Sequence, residues 1–155
     1  MQKPLSMKNH SNHNKSKCRG FSLIEVLVTF IVLSVGLLGL AALHANGLKN
    51  NQSAYWRSQA TFLAYGILDS MRANRVAGLD EDYDLALADS PATGTSIAAV
   101  DLTNWINTLS STLPAGDGSI DCVAASSICT VVVQWNDSMG EGGSDTQQFT
   151  VMTQL

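Results

Sequence analysis

The fold of this chain is decided by residues 19–43, which read RGFSLIEVLVTFIVLSVGLLGLAAL. A basic residue and a glycine stand directly before a long apolar run, which carries one carboxylate, Glu25, near its start. The 18 residues from Val26 to Leu43 include no charge, and their apolar side chains are interrupted only at Thr29, Ser34, Gly36 and Gly39. This length is close to the minimum for a helix that crosses the hydrocarbon core of a bilayer. The run therefore predicts a membrane-spanning helix.

The position of a cleavage site separates this segment from an ordinary secretory signal. Such a signal also has a basic stretch before an apolar one, but it is cut after the apolar stretch at a small-residue site. Residues 43–47, LHANG, offer only a poor site of that kind, and an ordinary signal would not carry Glu25 in its apolar face. A peptidase must draw the backbone into its active site, and Gly20 has no side chain to obstruct that approach. The basic residue and glycine before the run therefore indicate a processing signal other than an ordinary secretory signal.

Charge is distributed unevenly along the chain. Residues 1–20 contain five basic residues and no acid, whereas residues 21–155 contain four basic residues and all 13 acids, a formal charge of −9. A basic flank of a membrane segment stays in the cytoplasm, so the acidic part is expected to be exported. Nucleic acid is not an expected partner, because phosphate binding needs clustered Lys and Arg.

The positions of the three cysteines are consistent with export of the acidic part. Cys18 lies before the junction, and Cys122 and Cys129 lie in the part expected in an oxidising compartment. This even pair predicts a disulfide, and two buried free thiols are the alternative. The bond would close a short hairpin and stabilise a body of about 80 residues by about 2 to 3 kcal/mol. No metal site is expected, since no histidine or further cysteine lies near the pair.

Residues 21–75 contain no proline and predict one long helix. At about 1.5 Å per residue it would extend roughly 80 Å, far more than a bilayer needs. Its second half is amphipathic, with an apolar stripe at three- and four-residue steps that is expected to pack on the globular part. The stripe consists of Trp56, Ala60, Leu63, Ile67 and Met71.

The rest of the chain predicts a small head. Residues 77–100 are acidic and rich in small residues, which is typical of a surface loop, and residues 101–113 predict a helix that Asp101 or Thr103 could cap. Three strands are expected around residues 119–123, 129–135 and 146–153, the second with the two-residue period of a half-buried strand. The glycine-rich residues 140–144 predict the turn into the last strand. The predicted fold class is α+β, a long N-terminal helix packed on a small antiparallel sheet.

The sequence offers little chemistry for catalysis. The exported body contains no histidine to serve as a base for a serine or cysteine. Two acid pairs, Asp80 with Asp82 and Asp137 with Glu141, imitate glycosidase carboxylates or a calcium loop, but neither fits the full spacing of an EF-hand. We therefore expect the acids of both pairs to be solvated in loops. We expect neither enzymatic activity nor a cofactor.

The junction resembles the class III prepilin leader of type IV pilins and type II secretion pseudopilins. It reads Arg19-Gly20-Phe21-Ser22-Leu23-Ile24-Glu25. In that family a membrane peptidase cuts after the glycine, here Gly20, and methylates the new amino terminus, here Phe21. The resemblance assigns Glu25 a contact with the amino terminus of a neighbouring subunit, which sets the axial register during assembly. The alternative is intramolecular, because the helix dipole and the chain's own Phe21 amine also favour a negative charge there.

Two further segments resemble the PilV minor pilins, the family of type IV pilus modification proteins. They are residues 59–75, QATFLAYGILDSMRANR, and residues 129–137, CTVVVQWND. The family pattern leads us to expect a basic residue before the glycine, and Met139 stands at that position instead. Ala42 stands where many major pilins carry a helix-breaking proline, which suggests a subunit other than the bulk component of a filament.

The resemblance implies a pilin-like layout in four parts. These are a cytoplasmic leader (1–20), a transmembrane and assembly half of the helix (21–45), an amphipathic exported half (46–76) and a globular head (77–155). Whether Met1 or Met7 is the true start stays open.

The implied protein is a minor pilin that primes type IV pilus assembly, and so serves adhesion and twitching motility. It would cross the inner membrane once and then enter the extracellular pilus, near the tip. Its partners would be the prepilin peptidase and methyltransferase, other minor pilins and the major pilin. The alternatives are a type II secretion pseudopilin and, in another functional class, a membrane-anchored adhesin or binding module.

Overall fold

The computed structural model describes residues 20–140 and 142–155. The predictions for the leader, for Cys18 and for Glu141 lie outside the described residues. Three helices, α1 (Leu23–Ala73), α2 (Arg75–Leu79) and α3 (Ile97–Thr112), precede three strands, β1 (Asp117–Val123), β2 (Ile128–Trp135) and β3 (Gln147–Gln154). The chain divides into two compact units between Leu40 and Ala41. This order of a long apolar helix and a small antiparallel sheet confirms the predicted α+β class.

The described residues of the first unit, 20–40, include the apolar beginning of α1. An 18-residue window of this helix has a mean hydropathy of 2.7 and none of it is buried, so by length and composition α1 could cross a membrane. The two hydroxyls of the apolar run are satisfied within the helix, because Thr29 Oγ1 donates to the carbonyl of Glu25 (2.6 Å) and Ser34 Oγ to that of Phe30 (2.7 Å). The run therefore adds no unsatisfied side-chain hydroxyl to an apolar environment.

In the second unit, the remainder of α1 supplies one side of the core. The predicted stripe is confirmed: Ala60, Ile67 and Met71 are buried, and Trp56 and Leu63 are half-buried against the same core. Ala64 and Leu68 extend the buried face. Helix α3 is tied to α1 by Trp105, whose Nε1 donates to the carbonyl of Leu63 at 3.0 Å.

The three strands form one antiparallel sheet in the order β1-β2-β3. Strand β2 buries alternate residues against the core, as the sequence period predicts, and these are Cys129, Val131, Val133 and Trp135. Cys122 lies directly opposite Cys129 in the β1–β2 ladder, and the structure joins the two by the predicted disulfide, with an S–S distance of 2.05 Å.

The prediction of a surface loop over residues 77–100 is wrong in three places. Helix α2 occupies its start, Tyr83 is fully buried, and Leu85 forms a β-bridge with Ile120. Apolar residues isolated among acids carry no periodic signal, so the sequence pattern does not reveal their burial. The segment is an ordered part of the head.

The predicted start of α3 is also wrong. The helix begins at Ile97, and its N-cap is Ser96, whose side chain accepts a hydrogen bond from the Ala99 N–H at 3.2 Å. Asp101 is instead engaged by Tyr83, and the Thr103 hydroxyl donates to the carbonyl of Ala99 inside the helix. A serine cap five residues before Asp101 therefore satisfies the helix start.

Candidate processing and assembly site

The predicted cleavage junction is exposed and precedes the helix. Helix α1 begins at Leu23, and its first turn is closed by the Ser22 carbonyl, which accepts from Glu25 N (3.0 Å) and Val26 N (3.3 Å). Phe21 is 84% exposed. A Cβ atom built on Gly20 would meet nothing within 4 Å among residues 20–140 and 142–155, so this part of the fold places no steric demand for glycine at this position. A requirement for glycine here would come from a processing enzyme.

Glu25 lies in the first turn of α1, four residues after Phe21. The partial positive charge of a helix N-terminus favours a carboxylate in the first turn. Its side chain is exposed and forms no salt bridge with any residue among 20–140 and 142–155. An amine at Phe21, or one from another chain, would be a suitable partner for this charge.

Large apolar side chains surround this carboxylate and continue along the helix. Every large apolar residue from Phe21 to Leu43 is exposed within the chain, among them Phe30, Ile31, Leu38 and Leu43. A continuous apolar surface of this size is not stable in water and marks a membrane or protein contact. The first unit is therefore built to be covered by lipid or by other helices.

A second polar cluster lies in the second unit and was not anticipated. Asp137 is fully buried, its Oδ2 accepts from Ser53 Oγ at 2.6 Å, and Arg57 Nη2 lies 3.7 Å from the same oxygen. The prediction that Asp137 is a solvated loop acid is therefore wrong, whereas Asp80 and Asp82 are exposed as predicted. The spacing of Ser53 and Arg57, which places both on one face of α1, is the signal that could have indicated a polar contact.

The glycine-rich turn explains how Asp137 becomes buried. The Asp137 N–H donates to the Ser144 carbonyl at 2.8 Å, and the Asp137 carbonyl accepts from Gly140 N at 2.9 Å. A Cβ on Gly143 would collide with the Asp137 carbonyl, so this turn accepts only glycine there. The compact turn thus presses the carboxylate against α1.

Removing the Asp137 carboxylate is expected to destabilise the second unit. In Asp137→Ala the Ser53 hydroxyl and Arg57 lose their partner, which should lower the free energy of unfolding by about 2 to 3 kcal/mol. Urea unfolding of the full chain in detergent, followed by tryptophan fluorescence, measures this change. Asp80→Ala, at an exposed acid, is the matched control and should change the free energy by less than about 0.5 kcal/mol. Equal effects of the two substitutions would contradict a role for the buried contact.

Tyr83 connects three parts of the head. Its hydroxyl donates to Asp101 Oδ2 at 2.6 Å and accepts from Asn74 Nδ2 at 3.3 Å. Burial, followed by the hydrogen bond to Asp101, raises the pKa of Tyr83 from 10.0 to about 12. The neutral phenol thus links the end of α1, the following loop and α3.

The shifted pKa of Tyr83 predicts a loss of stability at alkaline pH. Between pH 10 and about pH 12 the unfolded chain loses the phenol proton and the folded chain keeps it, so the free energy of unfolding falls as pH rises through this range. Tyr83→Phe should flatten this part of the pH profile, and Tyr55→Phe, at an exposed tyrosine, should not. Urea midpoints measured from pH 9 to 12 test this, and an identical slope in both variants would contradict the assignment.

Comparison with known proteins identifies the amino-terminal segment. The family model described as the prokaryotic N-terminal methylation motif matches residues 15–41, which include the junction and Glu25. No curated protein and no solved structure matches the chain. The motif is that of a prepilin-type leader, and it indicates a type IV pilin or pseudopilin, which a prepilin peptidase processes and which assembles with other pilins. An apolar helix that begins at this motif is consistent with membrane anchoring and incorporation into a pilus.

Proposed function

We propose that this chain is a minor pilin that primes type IV pilus assembly and enters the filament near its tip. The observation that carries the proposal is the exposed apolar segment of α1, whose first turn contains Glu25, four residues after an accessible Phe21. The match to the N-terminal methylation motif over the same residues supports it.

Each part of the chain has a role in this proposal. Residues 1–20 form the cytoplasmic leader, which the peptidase removes after Gly20 before Phe21 is methylated. Residues 21–45 hold the subunit in the inner membrane and then pack into the filament, with Glu25 against the amino terminus of a neighbouring subunit. Residues 46–76 carry the helix out of the membrane, and residues 77–155 form the exported head.

Two features favour a minor subunit over the bulk component of a filament. The second unit contains four basic residues against twelve acids, a formal charge of −8, and a homopolymer would place this charge beside itself in every repeat. Ala42 is a helical residue within α1, so the helix keeps the backbone N–H that a proline at this position would lack. Both features suit a subunit that is surrounded by other pilins.

Intact-mass analysis of the protein from membranes and from sheared filaments tests the proposal. A product that begins at methylated Phe21, requires the prepilin peptidase and is present in sheared pili would support a processed pilus subunit. The same product confined to the membrane, and required for type II secretion, would favour a pseudopilin. An uncut chain, or one cut beyond Leu43, would contradict processing at the junction and leave an anchored or secreted protein.

A further inference from the structure

The sheet has two edges, and the edge formed by β1 is covered. Leu85 exchanges both backbone hydrogen bonds with Ile120, each at 2.9 Å, and Asp84 Oδ1 accepts from the Cys122 N–H at 3.0 Å. The outward N–H groups of Ile120 and Cys122 are therefore occupied from within the chain. A further strand cannot pair with β1 along this stretch.

The other edge, formed by β3, is open. Along an antiparallel strand the backbone N–H and C=O groups point alternately to one neighbour and to the other side. The groups of Ile120 point away from β2, and the pairing of β1 with β2 and of β2 with β3 fixes the same alternation in β3. The backbone N–H groups of every second β3 residue therefore point outward. These residues are Gln148, Thr150, Met152 and Gln154. Within residues 20–140 and 142–155 none of the four N–H groups has a hydrogen-bond partner, and all four residues are exposed.

Strand β3 also lacks the features that normally protect an edge. Its eight residues, QQFTVMTQ, include no charge, proline or glycine, and they pair with β2 without a bulge. Natural proteins commonly block an exposed edge with one of these devices, since an open edge is a template for another strand. The open groups recur every second residue, a spacing of about 6.8 Å that fits only an extended backbone.

We propose that the outer edge of β3 accepts an extended strand from a different protein that carries net positive charge. Main-chain hydrogen bonds to the four outward N–H groups would hold this strand, as in β-strand addition to other sheet edges. The formal charge of −8 in the second unit attracts a basic partner at long range and opposes a second copy of the same head. Arg72 and Arg75 lie at the carboxyl end of β3, where they donate to Thr153 Oγ1 and to the Leu155 carbonyl, so this attraction comes from the unit as a whole and not from charges on β3. A second copy could pair only β3 to β3, because the β1 edge is covered. Binding at this edge does not require the chain to enter a pilus.

Amide hydrogen exchange of the full chain in detergent micelles, measured by NMR with a synthetic peptide, tests the proposal. The probe is Lys-Thr-Val-Thr-Val-Thr-Val-Lys, an extended sequence with a positive charge at each end. It should slow exchange at Gln148, Thr150, Met152 and Gln154 by at least about tenfold, with little change at the intervening residues, which already bond to β2. Two comparison peptides are the same sequence with glutamate at both ends and a copy of residues 147–154. Both should bind at least about tenfold more weakly.

A matched pair of substitutions at Thr150 isolates the backbone contribution. Thr150→Val keeps the outward N–H and should retain peptide binding, whereas Thr150→Pro removes an N–H that has no partner among the described residues and should weaken binding at least about tenfold. If Thr150→Pro does not fold, Met152→Lys replaces it, because its added charge at the edge should repel the lysine-flanked peptide and spare the glutamate-flanked one. The proposal is overturned by unchanged exchange at the four amides. It is also overturned if either comparison peptide binds as tightly as the lysine-flanked one. A third contrary result is that Thr150→Val binds the lysine-flanked peptide no more tightly than Thr150→Pro, or than Met152→Lys where that variant replaces it.

Discussion

Replacing Gly20 with valine is expected to leave the uncut precursor in the membrane and to abolish its entry into filaments. A branched side chain next to the scissile bond obstructs entry of the backbone into the peptidase and restricts its conformation. A displacement of about 1 Å at a reacting bond costs about a hundredfold in rate, so we expect cleavage to slow by at least about that factor. Pulse-chase labelling with the prepilin peptidase, resolved by mass, measures the change.

Substitution of a second glycine in the same segment, Gly36, is the control for Gly20→Val. A Cβ atom on Gly20 or on Gly36 would meet nothing within 4 Å in the part of the chain that the structure describes, so no described residue blocks a larger side chain at either site. Gly36→Ala alters the same helix but lies far from the junction along the chain, and it should be cleaved at the normal rate. Normal cleavage of Gly20→Val would place the cut elsewhere. Slow cleavage of both variants would indicate a general effect on the helix.

The parts of the fold that could be predicted are those with a local period. The two-residue alternation around Val131 and Val133 predicts which face of β2 is buried, and the three- and four-residue steps from Trp56 to Met71 predict which face of α1 packs on the core. In both elements burial is decided by side chains that are neighbours in sequence. The N-terminal methylation motif could be recognised for a related reason, since its matched residues 15–41 form one continuous segment.

The contacts that escaped prediction join residues that are distant in sequence. Ser53 and Asp137 are 84 residues apart, and the hydrogen bond between them exists only after α1 and the glycine-rich turn have packed together. Tyr83 stands among acids whose composition indicates a loop, yet its hydroxyl bonds Asp101 in a helix whose start was placed too late. Local composition reports solvent preference, and it does not report which polar group finds a partner in the folded chain.

Neutralising Glu25 is expected to uncouple processing from assembly. Glu25→Gln keeps the size of the side chain and removes its charge, so the chain should still be cut and remain in the membrane. A carboxylate paired with an amine contributes about 1.5 to 3 kcal/mol through a charge-assisted hydrogen bond, and more in an apolar surrounding. Loss of that contact should lower the amount in sheared filaments by at least about tenfold relative to the membrane pool. Quantitative immunoblotting of both fractions measures the ratio.

The fold itself should tolerate this substitution, which makes the assembly measurement decisive. The Glu25 side chain is exposed and forms no salt bridge among the described residues 20–140 and 142–155. Thr29→Val, one turn further along α1, is a control that removes a polar group without changing charge, and it should enter filaments normally. Normal incorporation of Glu25→Gln would contradict an intersubunit role for the carboxylate. It would favour the alternative in which α1 serves only as an anchor for a binding head, because an anchor requires apolar length and no charge at this position.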